Sequence, residues 1–169
     1  LEYLKENRYH RTLTEASIEP AQQRLARWEA KGDGESADKL GDELRRTMEQ
    51  HCGVFRNQEV LDHGVTKVLK LRERLQNARL RDHSKVFNTA RIEALETENL
   101  MEVALATVVS AAARHESRGA HSRVDYPERD DLQWLKHTLY SRDAQRLDYK
   151  PVRMKPLTVD SFPPKKRVY

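Results

Sequence analysis

Residues 100–113 read Leu-Met-Glu-Val-Ala-Leu-Ala-Thr-Val-Val-Ser-Ala-Ala-Ala, so nearly every face of a helix built from them is apolar or small. Glu102 is the one charge. A helix that is apolar all round must be covered all round, because uncovered apolar surface forfeits the hydrophobic gain of folding. The run belongs to a helix predicted over about residues 88–115. Its first half is amphipathic through Ile92 and Leu95, with Glu93, Glu96 and Glu98 toward water. Two covers suit the second half: a bundle with this helix at its centre, or a surface outside the chain. The other predicted helices are too short to wrap it, which favours the outside surface.

Those other helices have clear periodicity. Leu61, Val65, Val68, Leu71, Leu75 and Ala78 step by threes and fours after a start at Asn57. Leu40, Leu44, Met48 and Cys52 recur every four residues after a start at Ser36 or Asp38, with Phe55 just beyond. An earlier helix takes Ser17 as N-cap and tolerates Glu19 and Pro20 in its first turn. It places Ala21, Leu25 and Trp28 on one face, and Gly32-Asp33-Gly34 stops it. Residues 1–13 read as the end of a helix that begins upstream. Three helices with short polar connections predict an antiparallel up-down bundle. The fold class is therefore all-α: a three-helix bundle, an additional long helix segment and an extended C-terminal strap.

The helical period ends after His115. Gly119 permits a sharp turn, and Pro127 keeps Tyr126 extended. Residues 133–140 suit a short strand or helix, and Leu147, Tyr149 and Val152 allow a short edge strand. Pro151, Pro156, Pro163 and Pro164 exclude a helix from the end of the chain, leaving a strap ordered only against a surface. The organisation is then residues 1–14 as the tail of an upstream element, 15–116 as the helical bundle and 117–169 as an irregular docking segment.

Several functions are excluded. Among seven histidines none sits in His-Glu-x-x-His or paired Cys/His spacing, so no metal site is expected. Cys52, the single cysteine, lies on the apolar stripe and packs there, neither bridging nor acting as a nucleophile. Residues 141–169 hold eight Lys/Arg against three Asp, a net +5, while the chain totals +4 and residues 1–140 carry −1. The basic character is thus confined to the tail. The cations near Pro163-Pro-Lys-Lys-Arg-Val168 are too few for nucleic acid, which favours a longer stripe. No stretch reaches the roughly 20 apolar residues that span a bilayer. Glu128, Asp130 and Asp131 with Arg129 read as a salt-bridged turn. A chain that starts at Leu1 is consistent with a piece of a longer protein.

Residues 116–123, Glu-Ser-Arg-Gly-Ala-His-Ser-Arg, place a carboxylate, two guanidiniums and an imidazole around a glycine, at the mouth of the apolar helix. Arginine forks recognise carboxylates and backbone carbonyls in pairs, and Gly119 lets a neighbouring backbone approach. Glu116, Ser117, Arg118, Gly119, His121 and Arg123 are the candidate docking residues. The other reading is a C-capping turn with solvated charges.

These residues also carry a resemblance. Glu116–Arg123, Asp125-Tyr-Pro-Glu-Arg-Asp-Asp131, Trp134-Leu-Lys-His-Thr-Leu139 and Pro163-Pro-Lys-Lys-Arg-Val-Tyr169 are similar to the C-terminal part of the succinate dehydrogenase/fumarate reductase flavoprotein subunit. Upstream, Met48-Glu-Gln-His-Cys-Gly-Val-Phe-Arg56, Arg72-Glu-Arg-Leu-Gln-Asn-Ala-Arg79, Phe87-Asn-Thr89 and Glu98-Asn-Leu-Met101 agree, so the likeness spans residues 15–169. Glu-Ser-Arg-Gly alone is shared with L-aspartate oxidase; the Trp-Leu-Lys-His-Thr and terminal Pro-Pro pieces favour the succinate/fumarate enzymes.

The resemblance implies a spectrin-repeat-like bundle packed on a flavin domain and lying near an iron–sulfur subunit. It implies that FAD and the groups that bind dicarboxylate belong to segments before Leu1, so this stretch holds no catalytic, cofactor or metal residue. No Gly-x-Gly-x-x-Gly occurs here. Arg118 and Gly119 are then expected at the flavin-domain contact, and Trp134, Lys136 and His137 at the subunit contact. The whole enzyme would sit as a peripheral subunit on the cytoplasmic face of the bacterial inner membrane, or on the matrix side in mitochondria. An isolated piece, deprived of its cover, is prone to self-association. The competing reading is a stand-alone helical interaction module with a basic tail.

Overall fold

The computed structural model describes residues 2–165. Among the described residues five helices and one hairpin follow in order: α1 (Glu2–Glu6), α2 (Glu15–Glu29), α3 (Ala37–Cys52), α4 (Gln58–Gln76), α5 (Thr89–Ala113), β1 (Lys136–Ser141) and β2 (Arg146–Pro151). The terminal cations at 166–167 and the final Val-Tyr, part of the tail motif, lie outside the described residues.

The bundle consists of α3, α4 and α5, each packed on the other two. The long helix is thus one of the three. The directions follow from who meets whom. Gly64, early in α4, faces His51 late in α3 and Val108 late in α5, whereas Gly41, early in α3, faces Thr97 in the first half of α5. The helices therefore run up, down and up. The predicted stripes supply the core: Leu40, Leu44 and Cys52 from α3, and Leu61, Val68, Leu71 and Leu75 from α4. Each such aliphatic side chain contributes roughly 1.5–3 kcal/mol on full burial. A Cβ on Gly64 would stand 2.8 Å from that of His51 and 3.1 Å from a Val108 methyl, so the residue sets how closely the three helices approach.

α5 meets the bundle through Ala94, Thr97, Met101, Ala104, Leu105, Val108, Ala111 and Ala112. Ile92 lies outside this stripe and is exposed. The opposite side of the apolar run is open, with Val103 64% exposed and Leu100 and Thr107 also at the surface. The all-round apolar sequence is therefore covered on one side by its own bundle and uncovered on the other. Glu98 and Glu102 do not face open water. Glu98 bonds Arg24 and Arg27, and Glu102 accepts from Arg72 at 2.9 Å.

The N-caps of α4 and α5 match their sequence signals. Asn57 accepts from the Val60 N–H and Asn88 from that of Arg91, each at 2.8 Å. α2 departs from expectation. It starts at Glu15 after Thr14, whose hydroxyl lies 3.0 Å from that of Ser17, so Pro20 falls inside the helix rather than in its first turn. Ala21 and Leu25 remain exposed, and Trp28 is the one buried residue of α2. Phe55, which extends the α3 stripe in sequence, is 78% exposed because α3 has already ended at Cys52.

β1 and β2 pair antiparallel, from Lys136 opposite Pro151 to Ser141 opposite Arg146, and β1 lies on α5. Residues 152–165 are irregular. Val152 and Met154 are half-buried, and Leu157, Val159 and Phe162 are exposed.

Candidate functional site

The polar run after α5 folds into a closed knot around two buried charges. Glu116 is 0% exposed and Arg123 is 1% exposed. A buried charge is tolerated only when paired and hydrogen-bonded, and both are. The Glu116 carboxylate bonds the Arg114 guanidinium, accepts from Arg118 at 2.8 and 3.0 Å, and accepts the Asp130 N–H at 2.9 Å. Burial, the largest single influence on this carboxyl, pushes its pKa up. The bonds from Arg118, the Asp130 N–H and Arg114 outweigh it, and Glu116 stays below the usual range.

Arg123 joins two helix ends. Its Nη1 donates to the carbonyls of Ala111, Ala112 and Arg114 at 3.3–3.4 Å, placing a cation on the negative end of α5. Its Nε and Nη2 donate to Asp125 at 2.7 and 2.6 Å, and Nη2 also reaches Gln58 Oε1 at 2.9 Å. Asp125 in turn accepts the backbone N–H of Gln58, the first residue of α4, at 2.8 Å. One Arg–Asp pair thus answers opposite dipole ends of two antiparallel helices. The bond from Arg123 holds the Asp125 carboxyl down at about 2.

Smaller parts close the loop. The Ser117 hydroxyl accepts the Arg123 N–H and donates to the Tyr126 carbonyl, both at 2.8 Å. Arg118 and His121 exchange backbone bonds of 2.8 and 3.0 Å around a tight turn, and Gly119 has φ +58° at its first central position, where glycine is favoured. Arg118 continues to Asp131 at 2.6 Å, and Asp131 to Arg129 at 2.8 Å, which makes residues 128–131 the expected salt-bridged turn.

Of the candidate docking residues, Glu116, Ser117 and Arg123 are hydrogen-bonded within the knot itself. Their partners are in this chain. Sequence reasoning missed Arg114 as a partner of Glu116, Asp125 as the partner of Arg123, and Arg56 as the partner of His121. Arg56 and Asp125 stood within the motifs of the resemblance, but nothing there paired them across the fold.

Trp134, Lys136 and His137 divide in the same way. Trp134 is buried, with the Arg114 guanidinium 5.1 Å from its ring centroid and Tyr149 meeting it edge-on at 5.8 Å. The Lys136 ammonium lies 4.7 Å from the Trp134 ring and 4.2 Å from that of Tyr149, clamping the hairpin by cation–π attraction. His137 is exposed.

Between this knot, the hairpin and α5 lies an open groove of about 920 Å³. Val103, Ala106, Thr107 and Ser110 of α5 form its floor, β1 and Val152 one wall, and Arg56, Arg118 and His121 the other. The floor is small-sided, and the second wall carries the Arg56 and Arg118 guanidiniums. Among the described residues no group of three His, Cys, Asp or Glu is placed to hold a metal ion, and no helix is long and apolar enough to cross a membrane.

Residues 41–169 match the family described as fumarate reductase flavoprotein C-term. The chain belongs to this family. It is 52% identical over 166 residues to the succinate dehydrogenase flavoprotein subunit of Coxiella burnetii, covering 98% of this chain and 28% of that protein. It is 41% identical over 160 residues to the fumarate reductase flavoprotein subunit of Escherichia coli, covering 92% of this chain and 26% of that protein. Among solved structures, an E. coli quinol fumarate reductase chain superposes with a TM-score of 0.78 at 38% identity, over 94% of this chain and 28% of the other. The chain thus spans little more than a quarter of the curated relatives it matches.

Proposed function

We propose that this chain is the helical C-terminal portion of a flavoprotein subunit whose whole protein oxidises succinate to fumarate. In that reading hydride passes to FAD and electrons leave through iron–sulfur centres to quinone. The observation that carries it is the 52% identity to a succinate dehydrogenase flavoprotein subunit over 98% of the chain. The 41% identity to a fumarate reductase subunit supports the same succinate–fumarate chemistry.

The portion itself is scaffold and contact surface. FAD and the groups that act on the dicarboxylate belong to the remainder of the whole protein. Residues 1–14 belong with that remainder. Residues 15–116 and 117–169 act as one unit, because Arg123 ties the second to both α4 and α5. The open side of α5 is the surface that the flavin-bearing part covers, with Arg118, Gly119 and His121 at its edge, while Glu116, Ser117 and Arg123 hold that edge in shape from behind. The iron–sulfur subunit meets the hairpin side, where His137 is the exposed member and Trp134 and Lys136 fix the strands. The assembly is a peripheral component of a membrane-associated complex, on the cytoplasmic face in a bacterium.

Purified alone, the 169-residue chain should fold, remain colourless and reduce no electron-accepting dye with succinate. Visible absorbance of the purified chain and a succinate-dependent dye assay check this. A chain that retains flavin through gel filtration would overturn the assignment of FAD to the remainder.

A further inference from the structure

We propose that His121 is an acid-release latch: its neutral ring holds the turn between α3 and α4 against residues 121–124, and protonation lets that turn go. This goes beyond the enzymatic reading and does not depend on it.

The geometry fixes the state of the ring. Nδ1 faces Nη1 of Arg56 at 2.9 Å, and Nε2 faces the carbonyl oxygen of Arg114 at 3.1 Å. A guanidinium only donates and a carbonyl only accepts, so Nδ1 must offer its lone pair and Nε2 must carry the hydrogen. Both contacts are satisfied by one neutral tautomer. A proton added at Nδ1 would set two N–H donors against each other at a distance that now holds a hydrogen bond.

The surroundings make that proton costly. Arg56 comes from the α3–α4 turn, Arg114 from the end of α5, and Arg118 and Arg123 from the ring's own segment; Lys136 and His137 of the hairpin line the same groove. The carboxylates of the same knot, Glu116 and Asp125, are already bound to guanidiniums, Glu116 to Arg114 and Arg118 and Asp125 to Arg123. Burial, the largest influence, holds the ring's pKa below 6.5. The Arg114 carbonyl pulls it up, and Arg56, Arg123 and Arg114 push it further down.

What opens is set by Arg56. The same guanidinium donates to the carbonyls of Gly53 at 2.8 Å and Cys52 at 3.1 Å, pinning the turn to the end of α3. The Arg56 backbone pairs with the neighbouring segment, its N–H to the Ser122 carbonyl at 3.2 Å and its carbonyl to the Val124 N–H at 2.8 Å. Repulsion at the side chain therefore acts beside the two backbone bonds that join the turn to residues 122–124. The turn carries Val54 and Phe55, both exposed, so the latch governs the placement of an apolar surface. The sign follows from linkage. A folded-state pKa below the unfolded 6.5 means that the closed state binds fewer protons, so closure is favoured above pH 6.5 and weakens as pH falls below it.

The test is amide hydrogen exchange of the 169-residue chain between about pH 8 and about pH 5, corrected for intrinsic exchange. Protection of the Arg56 and Val124 amides should fall by roughly tenfold or more across that range, while core amides of α3 and α5 keep theirs. In His121→Asn, which offers an uncharged acceptor and donor, Arg56 and Val124 should lose this pH response. Protection that tracks the core amides in the parent chain, or an unchanged pH response in His121→Asn, would overturn the latch. Should that variant not fold, ring nitrogen shifts of the parent chain decide: Nε2–H with bare Nδ1 near pH 7 supports it, and a charged ring or the other tautomer sinks it.

Discussion

Replacing Arg123 with alanine is expected to cost this chain about 3–5 kcal/mol of stability, the range for removing one partner of a buried, hydrogen-bonded charge pair. The guanidinium is 1% exposed and touches two helix ends at once. Its loss removes a donor from the Ala111, Ala112 and Arg114 carbonyls and from Gln58 Oε1, and removes the cation that holds the Asp125 carboxyl at about 2. Arg123→Lys restores the charge without the planar fork and should fall between the two. Denaturant unfolding with an unchanged m-value checks the magnitude. Acid provides a second readout. Because the Asp125 pKa is lowered in the fold, its contribution is present above its ordinary 3.8 and is lost as pH falls toward 2. That decline should be shallower in Arg123→Ala, and a variant as stable as the parent would remove Arg123 as the clasp.

The second large effect is expected at Trp28. α2 buries this one side chain, stacked under the Arg27 guanidinium at 4.1 Å, and otherwise holds the bundle through polar contacts, among them Arg24 and Arg27 on Glu98 and Glu29 on Arg91. Trp28→Ala removes the apolar anchor, a change of about 3–5 kcal/mol in a well-packed site. The partly exposed ion pairs cannot replace it. The expected outcome is local: amides of residues 15–29 lose protection while those of α3, α4 and α5 keep it. Simultaneous loss of protection in all four helices would show that α2 is integral to the bundle rather than docked on it.

These two sites also show where one sequence is informative. The α3 and α4 stripes were legible because a period of three and four residues states which face is buried, whatever that face meets. Asn57 was legible as a helix start because the signals that begin a helix are local in the chain. α2 has a similar period, yet Ala21 and Leu25 stay exposed, since docking there is carried by one indole and by arginines that reach a carboxylate more than seventy residues away. The α5 run was legible as apolar, but its cover was not. Small residues at 106, 107 and 110 read like the rest of the run, and the fold alone shows that they face a groove.

The knot was the least legible part. Its residue types announced charge pairing, but the chain holds 31 Lys/Arg and 27 Asp/Glu, and no local rule selects Arg123 for the end of α5 or Arg56 for His121. Those pairings span separations such as that between Gln58 and Arg123, which only the packed bundle brings together. Gly119 is the exception, because its positive φ serves a turn read directly from its neighbours.

The most direct test of the functional assignment is a graft. The 169 residues replace the matching stretch of the Coxiella burnetii succinate dehydrogenase flavoprotein subunit, and the assembled complex is assayed for flavin content and succinate-dependent dye reduction. Retention of both near the parent's levels is the predicted result. A graft that accumulates as a folded subunit, yet holds no flavin and does not oxidise succinate while the parent does, would contradict it.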